Sequence, residues 1–488
     1  MTKRLRDYAG LAGIGLWWLT VGVYALLALT HPPTSLVPTL WVAAVLLASG
    51  IVVGVGVRRV LLVLVLTASL WLFSEWMLAF LSVITAALGT LTVLRLGLGS
   101  KHLTLFGRHR WFFYPVGVRT EDRFLHTHVL GPTGSGKSSS VLMPIIWQDL
   151  YQGHGVSLIE PKGDLSLATM RAALDTGHTV LYVDPDDPKA PHYNPLSGPA
   201  AVAAEGLAWA LDQASESGHP FYATLARLEL LYAVLAVKEA ALEDTDVPMI
   251  MRFLRQDGFR RDVLNACQDP RTLAYYAEQV GRQSQAKAHE QRIGLLNRLE
   301  LLLVNPRVRN ILEGPGDFTW DEVLHEGHVV ICPFSLARLG ISARLLGNLF
   351  WHGLVMATYR RPATDRTPYF LFIDEFHQFV SPDLGDYLAL ARGYKVGITL
   401  AHQDLGQLSA ELKSAVMANC RQRVILGGIS GEDQRELEHS LNLNRQTPPD
   451  FRHLPLGRAF VERTAHGQLK PAVMLQLFHR SLESKASS

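Results

Sequence analysis

Hydrophobic and polar positions follow two different patterns along this chain, with the change near residue 95. From 10 to 30 and from 36 to 57 nearly every residue is apolar or small. Each run is about 21 or 22 residues, enough at 1.5 Å per helical residue to cross a hydrocarbon layer of roughly 30 Å. The intervening His31-Pro32-Pro33-Thr34-Ser35 reads as a loop, and cations flank the pair: Lys3, Arg4 and Arg6 before it, Arg58 and Arg59 after it. That bias predicts a hairpin with both flanks cytoplasmic. A third apolar run, from 60 to 94, is interrupted at Ser74-Glu75 and as one helix would be roughly 52 Å long, so it reads as a second hairpin. It returns the chain to the cytoplasm at Arg95, Lys101, Arg108 and Arg110. The expectation is a multi-pass anchor over residues 1–98 with four spans; two spans plus a re-entrant piece is the alternative.

Beyond it, short apolar runs alternate with helical stretches. Candidate strands are 126–130, 156–160, 180–183, 328–332, 369–373, 397–401 and 423–426. This alternation predicts a parallel sheet with crossover helices. Between the third and fourth candidate it stops. Residues 201–312 are rich in Ala, Leu, Glu, Arg and Gln, with Leu225, Leu228, Tyr232 and Leu235 at helical spacing, and read as an inserted all-helical domain. The sheet domain is then split into 99–200 and 313–480, with a polar tail over 481–488.

Charge changes the picture in one respect. The chain has 488 residues, 46 Lys and Arg and 44 Asp and Glu, and only Lys3, Arg4, Arg6, Asp7, Arg58, Arg59 and Glu75 carry charge before Arg95. The remainder is close to neutral, which excludes a globally basic nucleic-acid footprint; any contact with DNA has to come from a local basic lining. The three cysteines, Cys267, Cys332 and Cys420, have no C-x-x-C spacing and read as buried thiols in a reducing compartment.

The chemistry begins at Gly131-Pro132-Thr133-Gly134-Ser135-Gly136-Lys137-Ser138, followed by Ser139, between a predicted strand and a predicted helix. That context makes G-x-x-x-x-G-K-[ST] a phosphate loop. Its glycines let backbone N–H groups face phosphate oxygens at a helix N-terminus. Lys137 is expected at the β- and γ-phosphates of ATP, and Ser138 on Mg2+. The apolar strand of Tyr369 to Ile373 ends in Asp374-Glu375. Asp374 is placed for the Mg2+ shell and Glu375 for polarising the attacking water. Gln403, after the strand of 397–401, is a candidate sensor of the γ-phosphate. Nothing here supplies a second cation for the transferring phosphoryl group, so Arg392, Arg421 and Arg423 are candidates to act from a neighbouring subunit. The fold class expected is α/β: a RecA-like P-loop ATPase domain with an inserted all-α domain, preceded by a transmembrane helical anchor.

The chain resembles the type IV secretion coupling proteins, the TraG/TraD-like conjugative ATPases related to FtsK and HerA motors. The resemblance is carried by the anchor, the stretch from His126 to Ser139, Glu160-Pro161-Lys162-Gly163-Asp164, Asp184 through Tyr193-Asn194-Pro195-Leu196, the helical insertion near Pro220-Phe221-Tyr222, Asp374-Glu375-Phe376, and the segment from Ala391 to Leu408. Glu160 departs from the Asp usual in the family. The resemblance implies a homohexameric ring at the bacterial inner membrane. It also implies that ATP hydrolysis drives relaxase-linked single-stranded DNA, or protein substrates, into a type IV secretion channel. A double-stranded DNA translocase of the FtsK or HerA kind is the alternative, because it shares the catalytic core.

Overall fold

The computed structural model describes residues 103–109, 115–212, 220–240, 245–280, 285–364, 366–380, 384–443 and 450–482. The expected spans within 1–98, and 483–488 of the polar tail, lie outside the described residues. Among the described residues, no helix is long and apolar enough to cross a membrane.

The strands are β1 (Leu103–His109), β2 (Pro115–Arg119), β3 (Thr127–Leu130), β4 (Gly155–Glu160), β5 (Val180–Tyr182), β6 (Val329–Pro333), β7 (Tyr369–Asp374), β8 (Val396–His402), β9 (Gln422–Leu426), β10 (Arg458–Ala465) and β11 (Gln468–Leu477). All join one sheet in the order β2-β1-β11-β10-β9-β3-β8-β7-β4-β6-β5. From β9 to β5 the neighbours are parallel. These are the seven strands legible as apolar runs, and six of them are buried at every position, as strands covered on both faces require.

Beyond β9 the sheet continues through four antiparallel strands that the apolar pattern does not reveal. β10 alternates buried and half-exposed positions, the mark of a sheet face open to solvent. Its turn to β11 is the two-residue loop His466-Gly467, both with positive φ, 54° and 72°. That geometry matches the right-handed twist of a hairpin, and glycine supplies one of its two positions without strain.

Helices cover both faces of the parallel block. On one side lie α1 (Met143–Tyr151) and α2 (Asp164–Asp175), packed on Val156, Leu158, Phe370 and Phe372. On the other lie α3 (Ala200–Asp212), α4 (Pro220–Glu239), α5 (Gln285–Leu303) and α6 (Ile341–Arg360), whose core includes Leu371, Ile373 and Leu400. The period-two split of β7, Phe370 and Phe372 to one core and Leu371 and Ile373 to the other, is that of a central strand. The described segments between α3 and α5 are helical, and their apolar residues merge with this second core.

The stripe on α4 differs from the expected one. Leu230, Ala233, Val234 and Val237 are fully buried, whereas Leu228 is 38% exposed. Tyr232, half-buried, stacks on Tyr275 with centroids 4.1 Å apart.

Two buried histidines lock β3 to β8. His126 accepts from the Ile398 N–H at Nδ1 (3.2 Å), leaving Nε2–H to donate to the Leu388 carbonyl at 2.7 Å. His128 Nε2 lies 2.7 Å from His402 Nε2 in a stacked pair. Burial lowers His126 to about 4, against the opposing pull of the Leu388 carbonyl. Burial, then the Arg423 charge, lowers His128 to about 3. Both values lie below the unfolded value of about 6.5, so the native state binds fewer protons than the unfolded chain, and stability is lost as pH falls below 6.5. Glu160 and Asp374, raised to about 7 and about 6 chiefly by burial, act in the opposite direction. The signature is therefore differential. Between pH 7 and pH 5, His128 costs the fold about 2 kcal/mol. Chemical denaturation at the two pH values should show His128→Phe losing less stability on acidification than the wild type, by about that amount; an identical loss in both proteins would refute the assignment.

Candidate active site

The candidate phosphate loop, residues 131–138, leaves β3 at the sheet's carboxyl edge. The Gly131 N–H donates to the His402 carbonyl at 3.2 Å, which pins the loop's first residue to the neighbouring strand. Gly134 and Gly136 have φ of 80° and 88°, in the left-handed region that glycine enters without strain. A Cβ on Gly136 would sit 3.2 Å from Ser140 Oγ. Residues 137–142 form a wide helical turn that runs into α1. Lys137 is 7% exposed; its Nζ donates to the Gly131 carbonyl at 2.5 Å and lies 3.9 Å from Glu375 Oε1.

Register brings the remaining groups to this loop. Leu130 of β3 pairs with His402 of β8, and Asp374 of β7 pairs with Ala401. Gln403 therefore leaves the sheet between the phosphate loop and Asp374-Glu375. Its Nε2 donates to Glu375 Oε1 at 2.8 Å, and its Oε1 accepts from Thr133 Oγ1 at 2.8 Å. Thr133, Gln403, Glu375 and Lys137 thus form a continuous polar chain across three strand ends. Glu375 itself has φ of 50°, a left-handed conformation for a residue with a side chain, and its N–H donates to Asp374 Oδ1 at 3.1 Å. Strain of this kind is held by the surrounding structure, here a fully buried strand, and turns the side chain towards the loop.

The electrostatics suit a phosphate and a divalent cation. Burial, then the Glu375 charge, raises Asp374 to about 6 against the pull of Lys137 and Lys162. Burial holds Lys137 below its ordinary value, opposed by Asp374 and Glu375. The Ser138 hydroxyl and two neighbouring carboxylates at one loop are the oxygen donors that Mg2+ accompanying a nucleotide takes. The left-handed glycines form a cradle that side chains would fill. The residues fit Mg2+ and ATP.

A family model described as Type IV secretory system Conjugative DNA transfer matches residues 103–420. The chain belongs to that family. No curated protein sequence matches it. Among solved structures it is similar to the bacterial conjugative coupling protein TrwBdeltaN70, with a TM-score of 0.59 and 17% identity over 81% of this chain and 92% of that one. It is also similar to the plasmid coupling protein TrwB in complex with ADP and Mg2+, with a TM-score of 0.59 and 17% identity over 76% and 88% of the two chains. VirB4 of Thermoanaerobacter pseudethanolicus matches with a TM-score of 0.51 and 15% identity over 77% and 96%. At such identities the likeness shows the fold alone, a mixed α/β sheet.

The three arginines do not stand together at the family member's site. Arg423 is 8% exposed inside the sheet, its guanidinium 3.0 Å from Glu462 of β10 and bonded to the Ser440 and Met417 carbonyls. This corrects the expectation that it can reach a neighbouring subunit: β10, invisible in the apolar pattern, supplies its carboxylate. Arg392 and Arg421 are exposed and precede β8 and β9, at the edge opposite the phosphate loop.

Three neighbours have no role assigned from the sequence. Lys162, in the loop after β4, acts electrostatically on both Asp374 and Lys137. His377 Nδ1 lies 4.0 Å from Glu375 Oε2. His402, paired with His128, meets Phe376 edge to face and contacts the Asp404 carbonyl through Nδ1 at 3.0 Å. Lys162 and His402 lie in segments that carry the family resemblance, Glu160 to Asp164 and Ala391 to Leu408; His377 lies in neither. Glu375→Gln keeps the shape and the Gln403 neighbour but removes the candidate base, so turnover should fall by about 10² to 10⁴ with nucleotide affinity retained. Lys137→Ala should lose affinity as well. Equilibrium binding and phosphate-release assays on the full-length chain check both; a Glu375→Gln chain that hydrolyses normally would remove the carboxylate from catalysis.

Proposed function

We propose that this chain is a membrane-anchored ATPase that works as a homohexameric ring at the bacterial inner membrane. It couples ATP hydrolysis to recruiting and moving DNA, a relaxase-linked single strand, or protein substrates into a type IV secretion channel. The observation that carries the ATPase reading is the polar chain from Thr133 through Gln403 and Glu375 to Lys137, built at the ends of three adjacent parallel strands. The family and the printed ligands of TrwB, ADP and Mg2+, support it.

In this mechanism the phosphate-loop N–H groups from Gly131 to Ser139 and the Lys137 ammonium hold the phosphate oxygens. Ser138 and Asp374 would hold Mg2+, which would supply neutralising positive charge at the phosphates. Glu375 accepts the proton of the attacking water as that oxygen bonds to phosphorus, and the bond to the ADP oxygen breaks. Gln403, already bonded to Glu375, holds the carboxylate in register with the loop. The charge spreading over the transferred group is met by an arginine from the next subunit, Arg392 or Arg421. Within one chain the roughly 20 Å length of a seven-residue strand separates Arg392 from Gln403, so it cannot serve its own site.

Hydrolysis per chain should therefore rise with protein concentration and on addition of single-stranded DNA. One of Arg392→Ala and Arg421→Ala should be inactive alone, yet regain part of the activity when mixed with Lys137→Ala, because intact half-sites then meet at one interface. Stimulation by double-stranded DNA alone would favour an FtsK- or HerA-like translocase. Activity independent of concentration, without rescue at Arg392 or Arg421, would sink the shared site.

A further inference from the structure

Beside the phosphate loop, on the side away from Asp374 and Glu375, two segments distant in sequence converge. One is the connector into β10. Leu477 N–H and Gln476 Nε2 both donate to the Gly457 carbonyl, at 2.8 and 3.1 Å, and Gly457 turns with φ of 77°. The preceding Leu456 is thereby held outward, 74% exposed, with its Cδ1 3.6 Å from where a Cβ on Gly136 would lie. The other is the segment leaving β11. The Arg480 N–H donates to the Ser139 carbonyl at 2.9 Å, and its guanidinium lies over the Trp147 ring of α1 at 4.4 Å. His479, exposed, places Nδ1 3.4 Å from Ser140 Oγ.

We infer that Leu456 and His479 form the subsite for the adenine base, a reading that rests on the ATP site proposed above. A nucleotide whose terminal phosphates meet Lys137, Gln403 and Glu375 runs back along the helix start, past Ser138 and Ser139, so its base emerges where these two segments meet. Leu456 is the most exposed large apolar side chain among the described residues. An exposed apolar side chain at the rim of a phosphate site is suited to lie against a purine face, while an imidazole offers a polar edge that fixes orientation. Arg480, committed to Ser139 and Trp147, anchors the segment and holds the exposed His479 beside Ser140. No motif marks this arrangement, because it depends on the β10 and β11 strands that pair beyond β9.

The test separates base from phosphate recognition. Titration calorimetry on the full-length chain would measure ADP and inorganic tripolyphosphate, each with Mg2+, for the wild type, Leu456→Ala/His479→Ala and Lys137→Ala. Both replaced side chains are exposed, so the double variant should fold. Its ADP affinity should fall about tenfold, with tripolyphosphate affinity unchanged, whereas Lys137→Ala should weaken both ligands. Unchanged ADP affinity in the double variant would overturn the subsite and leave the ATPase reading intact. An equal loss for both ligands would assign the two residues to loop structure and also overturn it. A wild-type chain that binds neither ligand would remove the ATPase reading, and the subsite with it.

Discussion

Leu130 pairs with His402, and Asp374 pairs with Ala401; on this register across β3, β8 and β7 the chemistry of the chain depends. A parallel sheet delivers its loops to one edge, but only level strand ends deliver them to one point. Slipping β8 by one residue would turn Gln403 to the other face and separate the phosphate loop from Glu375. Several buried contacts oppose such a slip. His126 receives the Ile398 N–H, His128 stacks on His402, and Gly131 donates to the His402 carbonyl. The two-sided burial of β7 and β8 adds the hydrophobic penalty for any other pairing.

What the sequence discloses follows from which signals are local. The seven parallel strands are legible because burial on both faces demands continuous apolar runs, and the phosphate loop because glycines and lysine must stand at fixed spacing. Asp374 and Glu375 stand out for the same reason: two acids directly after five apolar residues. The strands β1, β2, β10 and β11 carry Arg108, Glu462, Arg463 and Pro471 among their apolar positions, and an alternating half-wet strand is easily taken for loop. The cost of missing them falls on Arg423. Its charge reads as a surface group until β10 brings Glu462 to 3.0 Å. The same holds for His128 and His402, 274 positions apart in sequence, whose meeting is a fact of register and leaves no trace in spacing.

Glu375 shows how local preference gives way to the site. A left-handed backbone at a residue bearing a side chain costs of order 1–3 kcal/mol and persists where surrounding packing over-determines it. Here the strand before it is buried at every position, and the turn that follows buries Phe376 against His402. The reward is directional: the chain turns sharply enough for Asp374 and Glu375, adjacent in sequence, both to serve one loop. A relaxed strand would alternate them to opposite faces. The raised Asp374 value, about 6, reflects the same crowding, for burial and the Glu375 charge both disfavour a second anion until Lys137, Lys162 or a divalent cation balances it.

The opposite edge of the sheet is built with comparable rigidity. Arg361, 8% exposed, donates to the Tyr394, Leu324 and Thr367 carbonyls, and Arg366 donates to the Gly393 carbonyl while lying over the Tyr394 ring at 4.5 Å. These bonds fix the Arg392–Tyr394 turn on both sides and leave the Arg392 side chain exposed. A guanidinium that crosses a subunit boundary, as proposed for Arg392, gains from such a stem, because less conformational freedom is lost when it meets its phosphate. It also gains from the near-neutral charge of the chain after residue 95, since a uniformly basic surface would repel its own copies in a ring. The proposed half-sites are therefore complementary in construction: a strained, acid-rich edge that holds the nucleotide and a braced, basic turn that completes it.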